Sequence, residues 1–160
     1  FGGTTIDDVK TQTDLWERQK IQEMEQSGEK TSVLDGIGKN QPALNRAYKL
    51  GKRASSVGFD WQSSEDVMAK ISEELDELTL ALKSGEAALI EEELGDLLFS
   101  VVNLARSTQK NPETALRKAN QKFEARFRAM EDHLHTSNQK LENLSFNEMD
   151  KLWELVKSKA

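Results

Sequence analysis

"EEELGDLLFSVVNLA", residues 91–105, carries the reading of the fold. At 100° per residue, Ile90, Leu94, Leu97, Leu98, Val101, Leu104 and Ala105 cover most of a helix circumference. What is left is a narrow polar stripe of Glu93, Asp96, Ser100 and Asn103. The pattern predicts a helix buried on most sides whose one polar face carries two carboxylates at i, i+3. The preceding "KISEELDELTLAL", 70–82, is also helical in period. Ile71, Leu75, Leu78 and Leu82 form its expected core stripe, with Glu74 on the stripe's edge, Glu77 one turn along and Glu73 turned toward solvent. The short connection "KSGEA" makes the two helices antiparallel neighbours.

Outward from this pair, every further element also reads as helix. Pro42 opens a helix through "PALNRAYKLGKRASSV", and "GFDWQ" breaks it, with Phe59 and Trp61 expected as packing residues. Ser63 with Asp66 caps the acidic helix. Asn111 and Pro112 start a helix that runs to about His135. "TSNQKLENL" is a loop, and Ser145 with Glu148 forms a capping box for a last helix over about 146–158. An amino-terminal helix is expected over 13–26, followed by a Gly- and Ser-rich linker. "LWERQK" at 15–20 echoes "LWELVK" at 152–157, either by chance or because the first residues are the tail of an earlier, related domain.

At 160 residues the chain is long enough for one domain with a proper core, and Ala, Leu, Glu, Lys and Gln dominate its composition, so the fold class is all-α. A net charge of −6 argues against general nucleic-acid binding. The absence of cysteine removes disulfides and thiolate metal sites and fits a reducing cytoplasm. No apolar run has membrane-spanning length.

Two carboxylates on each of two paired helices repel one another unless they are dispersed or neutralised. Two solvated acidic faces would disperse them. A hard divalent cation such as Mg²⁺ would gather them, because it accepts clustered carboxylate oxygens and keeps water for substrate phosphates. A di-iron carboxylate bundle is disfavoured: it usually needs Glu-x-x-His pairs, and the two histidines, His133 and His135, lie two apart on different helix faces. Lys118, Lys122 and Arg126 recur at i, i+4, i+8, beside a core stripe of Phe123, Phe127, Met130 and Leu134. They read either as a solvated basic face or as contacts for phosphate. Arg46, Lys49 and Arg53 read as a solvated face near a helix end. Trp153 and Lys157 share one face of the last helix, where Trp153 is either core or a platform for a base.

"KISEELDELTLAL" followed by "IEEELGDLLFSVVNLAR" resembles the Glu-Glu-x-x-Glu … Glu-x-x-Asp signature of the MazG family of nucleoside triphosphate pyrophosphohydrolases. "RAYKLGKRASSVGFDW" and "ALRKANQKFEARF" resemble that family too, so the likeness covers about 42–160. The resemblance implies an all-α helical bundle that dimerises, Mg²⁺ dependence, and hydrolysis of NTPs or dNTPs to the monophosphate and pyrophosphate. Position by position it puts the metal ligands on Glu74, Glu77, Glu93 and Asp96, with Glu73 completing the motif. Glu73 and Glu74 are the first candidates for a base toward water. Lys122 and Arg126 fall at positions associated with triphosphate binding and would stabilise its charge. Trp153 and Lys157 fall at substrate contacts, and Asn103 and Asn120 could support the site by hydrogen bonding. Because the family's domain is typically the second of two, 1–41 is expected to be a domain tail plus linker and 42–160 the catalytic domain. The expected partners are nucleoside triphosphates and a second copy of the chain, with no nucleic acid and no membrane. The alternatives are a pyrophosphatase selective for one nucleotide of the dUTP or dCTP type, and a non-catalytic helical dimerisation module with a relict site. The intact acidic quartet argues against the latter.

Overall fold

Local sequence chemistry sets the helix boundaries. In the computed structural model, which describes residues 32–136 and 139–158, five α-helices and one 3₁₀ turn follow in order. They are α1 (Ala43–Ser56), α2 (Ser64–Ser84), α3 (Ala87–Ser107), α4 (Pro112–Thr136), the 3₁₀ turn Leu141–Asn143, and α5 (Phe146–Lys157). No strand occurs among the described residues. The helix expected at 13–26 and the first copy of the Leu-Trp-Glu echo lie outside them.

Three of the five helix starts have a side-chain capping group; Pro42 before α1 and Glu86 before α3 make no side-chain cap hydrogen bond. The Ser63 hydroxyl accepts from the Asp66 N–H at 3.2 Å, while the Asp66 carboxylate accepts from the Ser63 N–H at 3.0 Å. That reciprocal pair satisfies two donors left over at the head of α2. Asn111 Oδ1 accepts from the Thr114 N–H at 2.9 Å, which caps α4. The Glu148 carboxylate accepts from the Ser145 N–H at 2.8 Å at the head of α5, and these Ser145 hydrogen bonds hold its pKa below the usual value. Gly85 ends α2 in the left-handed region at φ 73, and its N–H returns to Ala81 O at 3.2 Å. Two residues, Gly85 and Glu86, then turn the chain into α3, so α2 and α3 are antiparallel.

The α2–α3 contact is the most extensive of the fold. The Ser64 and Ser107 hydroxyls, 3.4 Å apart, join the start of α2 to the end of α3. Helix α1 lies against α3, where Gly51 is buried directly against Asn103 and Arg106. The Asp60–Arg106 ion pair ties the loop after α1 to the last turn of α3. Arg106 holds the Asp60 carboxyl below its ordinary pKa, chiefly by hydrogen bonding and against partial desolvation. Helix α5 packs on α4 around a separate cluster of Met130, Leu134, Leu152 and Val156.

The buried faces of α2 and α3 differ from those expected. On α2 the buried positions are Val67, Glu74 and Ala81, at i, i+7, i+14, whereas Leu75 is 53% exposed and Leu82 is also exposed. On α3, Ser100, Val102 and Asn103 are buried, whereas Leu98 is 51% exposed and Leu94 and Val101 are also exposed. Helix α3 is in contact with α1, α2 and α4, and these contacts bury Ser100, Val102 and Asn103 while leaving Leu94, Leu98 and Val101 exposed. Phe59, expected to pack, is 77% exposed. Arg53 does not simply face water: it donates to Val33 O at 3.2 Å and so fastens the segment before α1.

The close approach at Gly51 generates a stability prediction. A Cβ there would meet Asn103 Oδ1 at 2.5 Å, and that oxygen is held by Arg106. Gly51→Ala is therefore expected to destabilise the fold by about 1–3 kcal/mol through overpacking, despite alanine's better helix propensity. Denaturant unfolding of the two proteins checks it; equal midpoints would mean that α1 shifts without cost.

Candidate metal centre and anion-binding surface

Helix α2 delivers Glu74 and Glu77 from adjacent turns, and α3 delivers Glu93 from its second turn. Antiparallel pairing brings these three together: each offers a carboxylate oxygen within 4.8 Å of the others. Their burial is graded, with Glu74 only 4% exposed, Glu93 half-buried and Glu77 exposed. Asp96 lies one turn beyond Glu93, exposed and outside that tight group, yet its charge reaches Glu93.

Electrostatics mark the cluster as strained without a cation. The Glu93 carboxyl is pushed above its ordinary pKa, first by desolvation and then by repulsion from Glu77, Glu92, Asp96 and Glu74. Glu74 Oε1 is paired with Lys70 Nζ at 2.7 Å, but Oε2 is buried and has no hydrogen-bond partner. An orphaned buried carboxylate oxygen, inside an all-oxygen donor set with open positions on one side, fits a hard divalent cation that retains some of its water.

Lys70 was not singled out from sequence. It bridges Glu74 and Glu73, the latter at 2.8 Å, and both hydrogen bonds raise its pKa. The signal was present as i, i+3 and i, i+4 spacing from Lys70 to the two glutamates, a pairing that reads as ordinary surface support in a helix. Here the lysine supplies one positive charge to an acidic site, and it leaves Glu73 exposed beside the cluster.

The basic and aromatic candidates gather elsewhere, on α4 and α5. Arg126 is half-buried, its guanidinium 5.9 Å from the Trp153 ring centroid, and its Nε is buried without a partner. Lys118, Asn120 and Lys122 are exposed. Among the described residues no ion pair joins Lys122 or Arg126 to a carboxylate, so their charge is available to an anion. Trp153 is half-buried and tilted against Phe123 at 5.4 Å. It also borders a cavity of about 270 Å³ between Phe127, Met130, Phe146 and Met149. It is thus both a packing residue and an accessible one. Lys157 turns to Glu154 at 2.9 Å instead. Asn103, 1% exposed, belongs with the α1–α3 contact, and Arg46, read from sequence as solvated, is half-buried with an unpartnered buried Nε. The acidic group and the basic–aromatic group therefore occupy different helix pairs, connected through the contacts of α4 with α1 and α3. Among the described residues no helix is long and apolar enough to cross a membrane.

The geometry has counterparts in known proteins. Residues 62–135, which contain the whole acidic set together with Lys122 and Arg126, match the model of the MazG nucleotide pyrophosphohydrolase domain. The chain is 41% identical over 144 residues to the nucleoside triphosphate pyrophosphohydrolase of Escherichia coli K12. It is 44% identical over 142 residues to the nucleoside triphosphate pyrophosphohydrolase/pyrophosphatase MazG of Thermotoga maritima. Each match covers 89% of this chain and 54% of the relative, so the chain spans about half the length of these proteins. The uncharacterised protein YabN of Bacillus subtilis is 37% identical over 154 residues, 32% of its length.

The raised Glu93 pKa sets a pH dependence for the metal-free protein. Its folded value lies above the ordinary 4.5, so the folded state binds the proton more tightly, and stability falls as pH rises from about 4.5 through that folded value. Glu93→Gln imitates the protonated side chain. In EDTA it should melt above the wild type at pH 7, and the gap should close below pH 4.5. Melting curves across this range check it, and a gap constant with pH would remove the electrostatic cause.

Proposed function

The chain belongs to the MazG family of nucleotide pyrophosphohydrolase domains, and from that premise we propose that it hydrolyses nucleoside triphosphates, NTPs or dNTPs, to the monophosphate and pyrophosphate with Mg²⁺ as cofactor. The observation that carries this reading is the buried, unpartnered Oε2 of Glu74 within a group of three glutamates whose oxygens converge to 4.8 Å. A cation there would satisfy that oxygen and relieve the repulsion on Glu93.

In this reading Glu74, Glu77 and Glu93, with Asp96 beside them, would hold the metal. Mg²⁺ bound there would supply charge neutralisation to the phosphates and lower the pKa of water. Glu73, exposed beside Glu74 and hydrogen-bonded to Lys70, is the carboxylate left to accept the proton from the attacking water. Lys122 and Arg126 would offset phosphate charge that the acids repel, and their donors would stabilise the charge that builds on the phosphate oxygens as the anhydride opens. Trp153 offers a ring face to the base, and Lys157 and Asn120 stand at the nucleotide's periphery. In this reading the catalytic machinery belongs to 42–160.

The same reading includes a homodimer. Leu75 and Leu82 of α2, with Leu94, Leu98 and Val101 of α3, are exposed apolar side chains whose burial by a partner would be favourable. A second copy of the chain would cover them and complete burial of the helix pair that carries the acids. Leu75→Glu combined with Leu98→Glu should convert a dimer into a folded monomer in sedimentation; a wild type that sediments as a monomer would refute the assembly.

Incubation with each common NTP and dNTP plus Mg²⁺ tests the chemistry. Monophosphate and pyrophosphate are the expected products, and turnover should cease in EDTA. Glu74→Gln and Asp96→Asn should each lower turnover about 100-fold or more without loss of fold. Diphosphate and orthophosphate as products, or full activity in EDTA, would reject the assignment.

A further inference from the structure

Asn103 is among the most deeply buried polar side chains of the described chain, and its surroundings decide which way its amide points. Arg106 Nε donates to Asn103 Oδ1 at 3.2 Å, and a guanidinium nitrogen can only donate, so the oxygen side of the amide is assigned. Gly51 presses on the same oxygen from α1, where even a Cβ would reach it at 2.5 Å. Arg106 is fixed in turn: its Nη1 donates to Asp60 Oδ2 at 2.9 Å and its Nη2 to Asp60 Oδ1, a two-point clamp. The Arg106 side chain is only 10% exposed.

The other end of the amide has nothing to bind. Asn103 Nδ2 is buried and lacks a hydrogen-bond partner. An amide whose orientation is fixed from behind while its donor is left unmade is costly in a structural role and useful in a binding role. Its place in the fold gives the direction. Glu93, Asp96, Ser100 and Asn103 lie at i, i+3, i+7, i+10 on one face of α3, so the amide stands seven residues from Asp96. That separation is about 10 Å along the helix at 1.5 Å per residue, within the span of one extended nucleotide held at its phosphate end by the acidic group.

We propose that Asp60, Arg106 and Asn103 form a positioning relay in which Asn103 Nδ2 is a preset donor for an acceptor oxygen of the bound nucleotide. The relay rests on the pyrophosphohydrolase reading and adds to it two residues, Asp60 and Arg106, that act through Asn103. Asp60 holds Arg106 and Arg106 holds the amide oxygen, so the donor is aimed before substrate arrives and loses little entropy on binding.

Asn103→Asp tests this, because it keeps an acceptor for Arg106 and removes the donor. Steady-state kinetics with ATP and dATP, read beside melting temperatures, should show kcat/KM about tenfold lower, mostly through KM, with melting nearly unchanged. A loss confined to ATP identifies the ribose 2′-hydroxyl as the acceptor, and an equal loss identifies an oxygen common to both nucleotides; either pattern supports the relay. Asp60→Asn should lower kcat/KM about threefold, and Asp60→Glu should recover it. A folded Asn103→Asp protein with wild-type kcat and KM overturns the relay. Should Asn103→Asp fail to fold, Asp60→Asn decides: reduced melting with unchanged kinetics makes the contact purely structural. A wild type that turns over neither nucleotide nor any other triphosphate defeats the enzymatic reading and the relay together, whereas an active wild type with an indifferent Asn103→Asp defeats the relay alone.

Discussion

The fold is organised around one unfavourable interaction, the mutual repulsion of carboxylates forced together where α2 meets α3. Glu74, Glu77 and Glu93 offer oxygens within 4.8 Å of one another, and Glu74 is almost fully buried. Isolated helices carrying these charges would drift apart or turn them to water. They are held by features outside the acidic cluster: the Ser63–Asp66 box at one end of α2, the left-handed Gly85 turn at the other, and the buried Val67, Ala81 and Val102. Lys70 offsets part of the repulsion by pairing with Glu74 Oε1, and the remaining oxygen, Oε2, is left without a partner. A scaffold that stabilises an acidic cluster by packing keeps affinity in reserve for a cation, since binding recovers the repulsion as attraction.

Much of this architecture was legible in the sequence, because helix boundaries are set by local chemistry. Ser63 with Asp66, Asn111 with Pro112, and Ser145 with Glu148 each cap a helix within one residue of the place that spacing alone assigns. The i, i+3 acids on successive helices were legible for the same reason. Which face would be buried was not. Hydrophobicity points Leu75, Leu82, Leu94, Leu98 and Val101 inward, yet within one chain they remain exposed while Glu74, Ser100 and Asn103 are buried. Periodicity reports that a face is apolar, and it does not report what covers that face. Arg106 and Asp60 are 46 residues apart, and a long-range ion pair leaves no trace in spacing.

The division of labour between helix pairs follows from the same electrostatics. Carboxylates repel phosphate and guanidinium groups repel cations, so surfaces of opposite sign attract different parts of a ligand. The acids occupy α2 and α3; Arg126, with its unpartnered Nε and Trp153 beneath its guanidinium, occupies α4 and α5. Had these groups been adjacent in the free protein, they would have neutralised each other, as Lys157 and Glu154 do at 2.9 Å. On separate helix pairs the two sets do not pair with each other among the described residues. Glu74, Asn103, Arg46 and Arg126 each keep a buried polar atom with no protein partner, and these are the points at which water or a ligand has most to satisfy.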